Sequence, residues 1–419
     1  MEEKIKALLV GVKVDGRLYF EQSMEELANL AEACNMEIVG KITQNLEQIN
    51  RAIYIGTGKI DEVKHAVTMY EADVVIFNNE LSSTQFRNLE KDLDSPILDR
   101  TALILQIFAD RAKTREAKLQ VEVARLQYMM PRLVGLHESL GRQGGSAGSA
   151  NKGSGETRLE LDKRRIEAKL TELNKELELL TNERETQRKK RKNSQLPSVA
   201  LVGYTNAGKS TLLNALVEKY KNDETKKVFE KDMLFATLET SVRNINLDDN
   251  KSFLLSDTVG FVSELPHNLV KAFRSTLEEI KQADLLLHVI DFSDPNHEQH
   301  IEVTNDTLKD LGAEDIPVIY VYNKADLKLL VLPQIEDNRI YMSAGKREGI
   351  DELISMISKE IFSDYIKCRM LIPYDKGNIT SYLNEVATIT GTDYLEEGTL
   401  ISLELKEADY KKYIEYIVE

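Results

Sequence analysis

The sequence predicts an α/β protein in which a central P-loop domain with a doubly wound sheet follows an N-terminal parallel α/β domain that carries a long helical hairpin, and a small C-terminal α/β appendage closes the chain. Three observations predict this. Short β-branched runs alternate with helical stretches over the first hundred residues, the rhythm of a parallel sheet. Apolar residues then recur at spacings of three and four through two long segments. After them comes an apolar run, Val199-Ala200-Leu201-Val202, a glycine-rich octet, GYTNAGKS, and a helix-forming stretch from Thr211. The implied boundaries are 1–98, 99–196, 197–362 and 363–419.

In the first segment KALLVGV at Lys6, MEIVG at Met36, AIYIG at Ala52 and DVVIF at Asp73 read as strands, with helices over Met24–Ala33 and Lys59–Tyr70. YIGTGK at Tyr54 places glycines at a strand-to-helix junction, where they serve a tight turn or touch a ligand. Leu105, Ala109, Ala112, Leu119, Val123, Leu126 and Met130 give one long amphipathic helix, interrupted by Glu116 and ended by Pro131. Leu159, Ile166, Leu170, Leu173, Leu177 and Leu180 give a second, ending in the basic run RKKRKN at Arg188. Two such seams imply an antiparallel hairpin with a coiled-coil-like interface. Its tip, Gly141 to Gly155, has six glycines in fifteen residues. Such a stretch buries no apolar surface, so it is a flexible connector or an element that inserts into a deep partner.

The octet sits between a strand and a helix, the setting in which backbone N–H groups curl around phosphate oxygens. Gly203, Tyr204, Thr205, Asn206, Ala207, Gly208, Lys209 and Ser210, with Thr211 opening the helix, are therefore candidate nucleotide contacts. Lys209 can reach the β- and γ-phosphates, and Ser210 can ligate Mg²⁺. Phe235, Ala236, Thr237, Leu238 and Glu239 follow in a polar region, where Thr237 could close over Mg²⁺ and the γ-phosphate, with Thr240 as the alternative. Asp257, Thr258, Val259 and Gly260 end another apolar run, so Asp257 can hold Mg²⁺ through water and the Gly260 N–H can meet the γ-phosphate. Asn323, Lys324, Ala325 and Asp326 follow the strand Val318–Tyr322. A carboxylate at Asp326 accepts both the N1–H and N2 amino hydrogens of guanine, and adenine offers neither, so GTP is selected over ATP. Ser343, Ala344 and Gly345 follow a short strand and can meet the guanine O6.

Lys209, Thr237 and Gly260 are the candidate catalytic residues, and Phe261 stands where Ras-like GTPases carry the glutamine that orients water. Hydrolysis then depends on a partner or on other groups. Asn206 could help hold K⁺, a charge in place of an arginine finger, or it bonds only within its own loop. Phe362 to Glu419 shows no catalytic cluster.

No 18-residue apolar run exists and the start lacks the pattern of a signal peptide, so a cytoplasmic monomer with no integral membrane segment is expected. Cys34 and Cys368 lie far apart without metal-ligand spacing and read as buried free thiols. Residues 100–192 carry 21 Lys and Arg against 13 Asp and Glu, a local balance of +8 on a chain of net charge −15. A basic segment of this kind suits RNA phosphates even on an acidic body.

Beyond the octet, YIGTGK at Tyr54, FNNELSSTQFRNLE at Phe77, LDRTALILQIFADRAKTREAKLQVEVARLQYMMPRL at Leu98, GETRLELDKRR at Gly155 and LFATLE at Leu234 make the chain resemble the HflX family of translation-associated GTPases over residues 1 to about 360. That resemblance implies a GTPase that binds the large ribosomal subunit, inserts the tip near the 23S rRNA of the peptidyl-transferase centre and splits stalled or idle ribosomes. Binding of free 50S subunits for assembly or storage, and nucleotide-dependent RNA remodelling with ATP on the N-terminal domain, are the alternatives. The family loop reads like GGIGTRGPGET, whereas this chain has GGSAGSANKGSGET with Ser154 in place of the proline. A variant loop of this kind implies altered action on drug-stalled ribosomes, as in members linked to antibiotic resistance.

Overall fold

The computed structural model describes residues 4–14, 19–143, 152–192, 196–220, 241–247, 251–263, 279–328 and 331–418. The chain divides into two compact units. The first takes in the described residues up to Lys190 and the short stretch from Val259; the second takes in the rest.

The first unit is built on four strands, β1 (Ile5–Val14), β2 (Met36–Leu46), β3 (Val74–Phe77) and β4 (Ile97–Asp99), in the order β2-β1-β3-β4. All pair in parallel. A parallel sheet is covered on both faces, and β1 shows it: Ala7 and Leu9 join one core with helices α1 (Phe20–Ala33) and α4 (Arg100–Arg111), while Leu8, Val10 and Val12 join another with α2 (Thr57–Tyr70) and α3 (Ser83–Leu93). The expected strand at Ala52 is instead a closed loop. Asn50 Oδ1 accepts from the N–H groups of Ala52 and Ile53 at 2.8 and 3.2 Å, and Tyr54, at φ 65°, bridges back to Asn50. An Asx-type turn of this kind competes with strand geometry. Ile53, Tyr54 and Ile55 are nevertheless buried.

The expected single helix from Asp99 is two. α4 ends at Arg111, and Thr114 caps α5 (Arg115–Gln143) by accepting from Ala117 N at 3.2 Å, the role that makes threonine a helix starter. Pro131 does not end α5 but lies inside it. Proline opens the helix near the preceding turn, and the Arg132 guanidinium donates to the Tyr128 carbonyl there at 2.7 Å. α6 spans Lys152–Lys192, and Leu173 on its expected seam is buried. Arg115 Nε donates to Glu176 Oε1 at 2.6 Å, joining the start of α5 to the far half of α6 as an antiparallel pair requires. Residues 144–151 of the glycine-rich tip lie outside the described residues.

Asp99 fastens α5 to the sheet. It caps α4 through Ala102 N (2.9 Å), and also accepts from Leu81 N (3.0 Å), the Tyr128 hydroxyl (2.9 Å) and Arg132 Nη2 (2.9 Å). Arg132 lies 3.5 Å from the Tyr128 ring centroid.

The second unit holds a seven-stranded sheet of order β10-β11-β9-β8-β5-β7-β6. Its strands are β5 (Ser198–Val202), β6 (Ser241–Asn246), β7 (Ser252–Asp257), β8 (Leu285–Asp291), β9 (Val318–Asn323), β10 (Gln334–Glu336) and β11 (Arg339–Tyr341). Pairing is parallel except for β6 on β7 and β10 on β11, so the sheet is mixed. Helices α7 (Lys209–Lys219), α8 (His297–Asp310) and α9 (Ile350–Ile361) follow β5, β8 and β11. Because β5 pairs with β7 on one side and β8 on the other, the chain changes direction across the sheet at β5, and ligand crevices form outside the strand ends at such points.

The same unit carries the C-terminal segment: β12 (Tyr365–Ile372), α10 (Gly377–Val386), β13 (Thr388–Leu395), β14 (Gly398–Lys406) and α11 (Glu407–Lys412). The strands form an antiparallel sheet of order β12-β14-β13, with Met370, Leu383 and Leu403 among its buried core residues. Buried Lys251, just before β7, donates to Glu404 at 2.9 Å and lies 5.4 and 5.3 Å from the Phe362 and Tyr365 ring centroids. Cys34 is half-buried and Cys368 buried, both as free thiols; burial pushes the Cys34 pKa up to about 12. Among the described residues no helix is long and apolar enough to cross a membrane.

Candidate nucleotide site

The loop from Gly203 to Gly208 leaves β5 and enters α7. Its glycines are obligatory for two reasons. Gly203 and Gly208 have φ of 142° and 92°, and a Cβ would come within 2.2 Å of the Val289 carbonyl oxygen at the first and of Asn323 Nδ2 at the second. The loop is thus pressed between β8 and the Asn323 side chain.

Lys209 is buried, and its ammonium donates to the carbonyls of Gly203 and Tyr204 at 3.0 and 2.7 Å. Burial pushes its pKa down to about 8, against the opposing pull of Asp257. His288 on β8 is also buried; burial and then Lys209 push its pKa down to about 3, so the imidazole stays neutral and adds no charge beside the loop. Ser210 donates to Asp257 Oδ2 at 2.9 Å, and Asp257 is wholly buried. Thr258 turns inward, its hydroxyl donating to the Leu201 carbonyl at 2.6 Å.

The NKAD and SAG segments converge on the same loop. Asn323 Nδ2 donates to the Ala207 carbonyl at 2.9 Å, while its Oδ1 accepts from Ala344 N at 2.9 Å. Lys324, in the left-handed region, donates to the Asn206 carbonyl at 2.9 Å and to Asp291 Oδ2 at 2.7 Å. Ala325 N is bonded to the Met342 carbonyl. Asp326 Oδ2 lies 3.1 Å from Lys346 Nζ. Burial raises the Asp326 carboxyl, but hydrogen bonds from Ser343 and Lys346 outweigh it and hold the group below its ordinary value. The carboxylate expected to accept from guanine is thereby kept ionised. Gly345 has open space around its Cα.

Gly203 to Thr211, Asp257 and Thr258, Asn323 to Asp326 and Ser343 to Gly345 therefore lie within one unit, joined by these bonds. Phe235, Ala236, Thr237, Leu238 and Glu239, with Thr240, lie outside the described residues. Val259 and Gly260 belong to the first unit, where Val259 and Val262 enter the core and Phe261 is buried. Asp291, His300 and Lys346 were not among the residues singled out from sequence. Only Asp291 carried a signal, an acidic residue at the end of an apolar run.

Among the described residues no group of three or more His, Cys, Asp or Glu side chains could hold a metal ion. Ser210 beside a buried carboxylate instead suits a hard cation that takes one or two protein oxygens and completes its shell with phosphate and water.

Three family models match the chain: GTP-binding GTPase N-terminal over residues 21–109, GTP-binding GTPase Middle Region over 111–191, and 50S ribosome-binding GTPase over 198–324. It is similar to the GTPase HflX of Caldanaerobacter subterraneus, at 46% identity over 92% of this chain and 88% of the relative. The HflX proteins of Alkalihalophilus pseudofirmus and Lacrimispora saccharolytica are 45% and 38% identical, over 93% and 96% of this chain and 90% and 93% of theirs. Identity of this degree along nearly the whole length, over a loop that NKAD and SAG enclose, shows that the chain belongs to the HflX family of GTPases.

Proposed function

We propose that this GTPase binds GTP with Mg²⁺ at Gly203–Ser210, engages the large ribosomal subunit through its basic helices, and uses the bound nucleotide to split stalled or idle ribosomes. The observation that carries the nucleotide assignment is the joining of Asn323 to both Ala207 and Ala344, which sets a guanine-reading carboxylate beside a phosphate loop. Lys209 holds the β- and γ-phosphates. Ser210 would ligate Mg²⁺ and Asp257 would hold it through water, and Thr237 and Gly260 are the residues proposed for the remaining γ-phosphate contacts. When bound, Mg²⁺ offsets charge on the phosphates. The loop N–H groups would add to this, and donors held in place by a folded loop do so without reorganising.

A phenyl ring at Phe261 cannot orient water, so hydrolysis to GDP and phosphate waits on the ribosome, with K⁺ beside Asn206 as the added charge. Partner binding is supported by the 50S ribosome-binding description of the matching family model and by α6. Its Lys163, Arg164, Arg165 and Lys169 face solvent in pairs with neighbouring acids at 2.9–3.8 Å. Exposed pairs of this kind hold weakly and exchange readily for RNA phosphates. The tip would reach the 23S rRNA near the peptidyl-transferase centre from a cytoplasmic monomer.

Light scattering of 70S particles with the protein and GTP tests the reading: a GTP-dependent fall in scattering is expected. No dissociation at saturating protein, with hydrolysis stimulated by 50S subunits alone, would replace splitting by 50S assembly or storage. Repeating hydrolysis in K⁺ and in Na⁺ checks Asn206. Replacing GGSAGSANKGSGET by the shorter family loop tests the tip, and unchanged survival under ribosome-directed drugs would remove its link to resistance.

A further inference from the structure

Residues 291–300, Asp-Phe-Ser-Asp-Pro-Asn-His-Glu-Gln-His, belong to none of the motifs that bind nucleotide, yet they grip the phosphate loop at two points. The Tyr204 ring lies flat on the His300 imidazole, with centroids 3.9 Å apart and planes 9° from parallel. Tyr204 is buried, so the stack closes the outer limb of the loop against α8. Two residues on, the Asn206 carbonyl takes Lys324 Nζ, and Lys324 is tied in turn to Asp291. Asp291 is itself fixed, its Oδ1 accepting from both the backbone N–H and the hydroxyl of Ser293. Asn206 is in the left-handed region at φ 61°, a conformation that a non-glycine residue keeps only when its surroundings hold it there.

We propose that His300 and Asp291 are positioning residues that brace the phosphate loop from outside, His300 through the Tyr204 ring and Asp291 through Lys324, and thereby set how long nucleotide stays bound. The inference rests on reading Gly203–Ser210 as the GTP site. Neither residue belongs to a motif that touches nucleotide. Their effect is on preorganisation: a loop that binds through backbone N–H groups loses affinity whenever those groups must first be ordered. His300 acts on the residue before Thr205 and Asp291, through Lys324, on the residue after it, so the two contacts clamp the two peptide bonds that flank Thr205.

The test uses the full-length protein and measures release of a fluorescent GDP analogue, the kcat and KM for GTP, and the melting temperature without nucleotide. One aromatic pair corresponds to about a two- to tenfold effect. His300→Ala is therefore expected to release GDP about fivefold faster and to raise KM with little change in kcat, while His300→Phe, which keeps a ring on Tyr204, restores slow release. Asp291→Asn, which weakens a charge-assisted bond, is expected to accelerate release about tenfold. Parental release rates in both His300→Ala and Asp291→Asn, with unchanged melting, would overturn the brace. His300→Phe behaving like His300→Ala would overturn its stacking half. Failure of the underlying site reading looks different: Lys209→Ala would then still bind GDP.

Discussion

Two wholly buried aspartates, Asp99 in the first unit and Asp257 in the second, put the same side chain to opposite uses. Asp99 gathers donors from Leu81 ahead of α3, from α4 and from α5, and ends in an ion pair with Arg132. Those bonds tie separate elements together and leave nothing to exchange. Asp257 sits at the end of β7 and accepts from the Ser210 hydroxyl, a group that on the proposed reading turns toward a metal when nucleotide arrives. Burial therefore does not tell a structural acid from a functional one. What distinguishes them is whether the partners are fixed by the fold or can be replaced by a ligand.

The largest effect that follows is on stability. Asp99→Ala strands the Arg132 guanidinium, and breaking a buried pair costs about 3–5 kcal/mol, so thermal unfolding should move to markedly lower temperature. A parental melting curve would break the comparison on its structural side. Lys209→Ala should do the reverse, melting like the parent but losing about a hundredfold or more in GTPase activity, the scale seen when one preorganised charge-stabilising donor is removed. The same lysine gives a pH signature. Its folded pKa lies near 8, below the usual 10.5, and the protonated form is the one that holds phosphate; GDP affinity measured by titration should weaken as pH rises from 8 to 9.5. Asp326→Asn sharpens the comparison for the base. An amide can donate to the O2 of xanthine, so the preference for GTP over XTP should invert, with about 10- to 100-fold weaker GTP binding. Lys346→Gln is the smallest change: the pair is largely exposed on the lysine side, and GDP affinity should fall less than about fivefold.

Legibility in the sequence followed the same division. The phosphate loop could be read because its requirements are local: Gly203 and Gly208 are needed by backbone angles within eight residues. NKAD is expected to meet one base edge through one carboxylate, and the structure brings its Asn323 and Lys324 onto the same loop. The βα rhythm gave the parallel sheet because strands buried on both faces are continuously apolar. The break at Thr114 and the closed loop at Asn50 were missed because each depends on a single polar side chain bonding nearby backbone, which apolar periodicity does not register. His300 and Lys346 could not be read at all. Their significance arises only when α8 and the segment after β11 are folded against residues some tens to a hundred positions away.

Lys251 has a consequence for how this chain can be cut. Its ammonium lies buried between Phe362 and Tyr365 and is neutralised by Glu404. A truncation after Phe362 would look clean in the sequence, yet it would remove the carboxylate and one ring from around a buried ammonium at the head of the strand that ends in Asp257. The last domain is in that sense a counterion for the GTPase sheet.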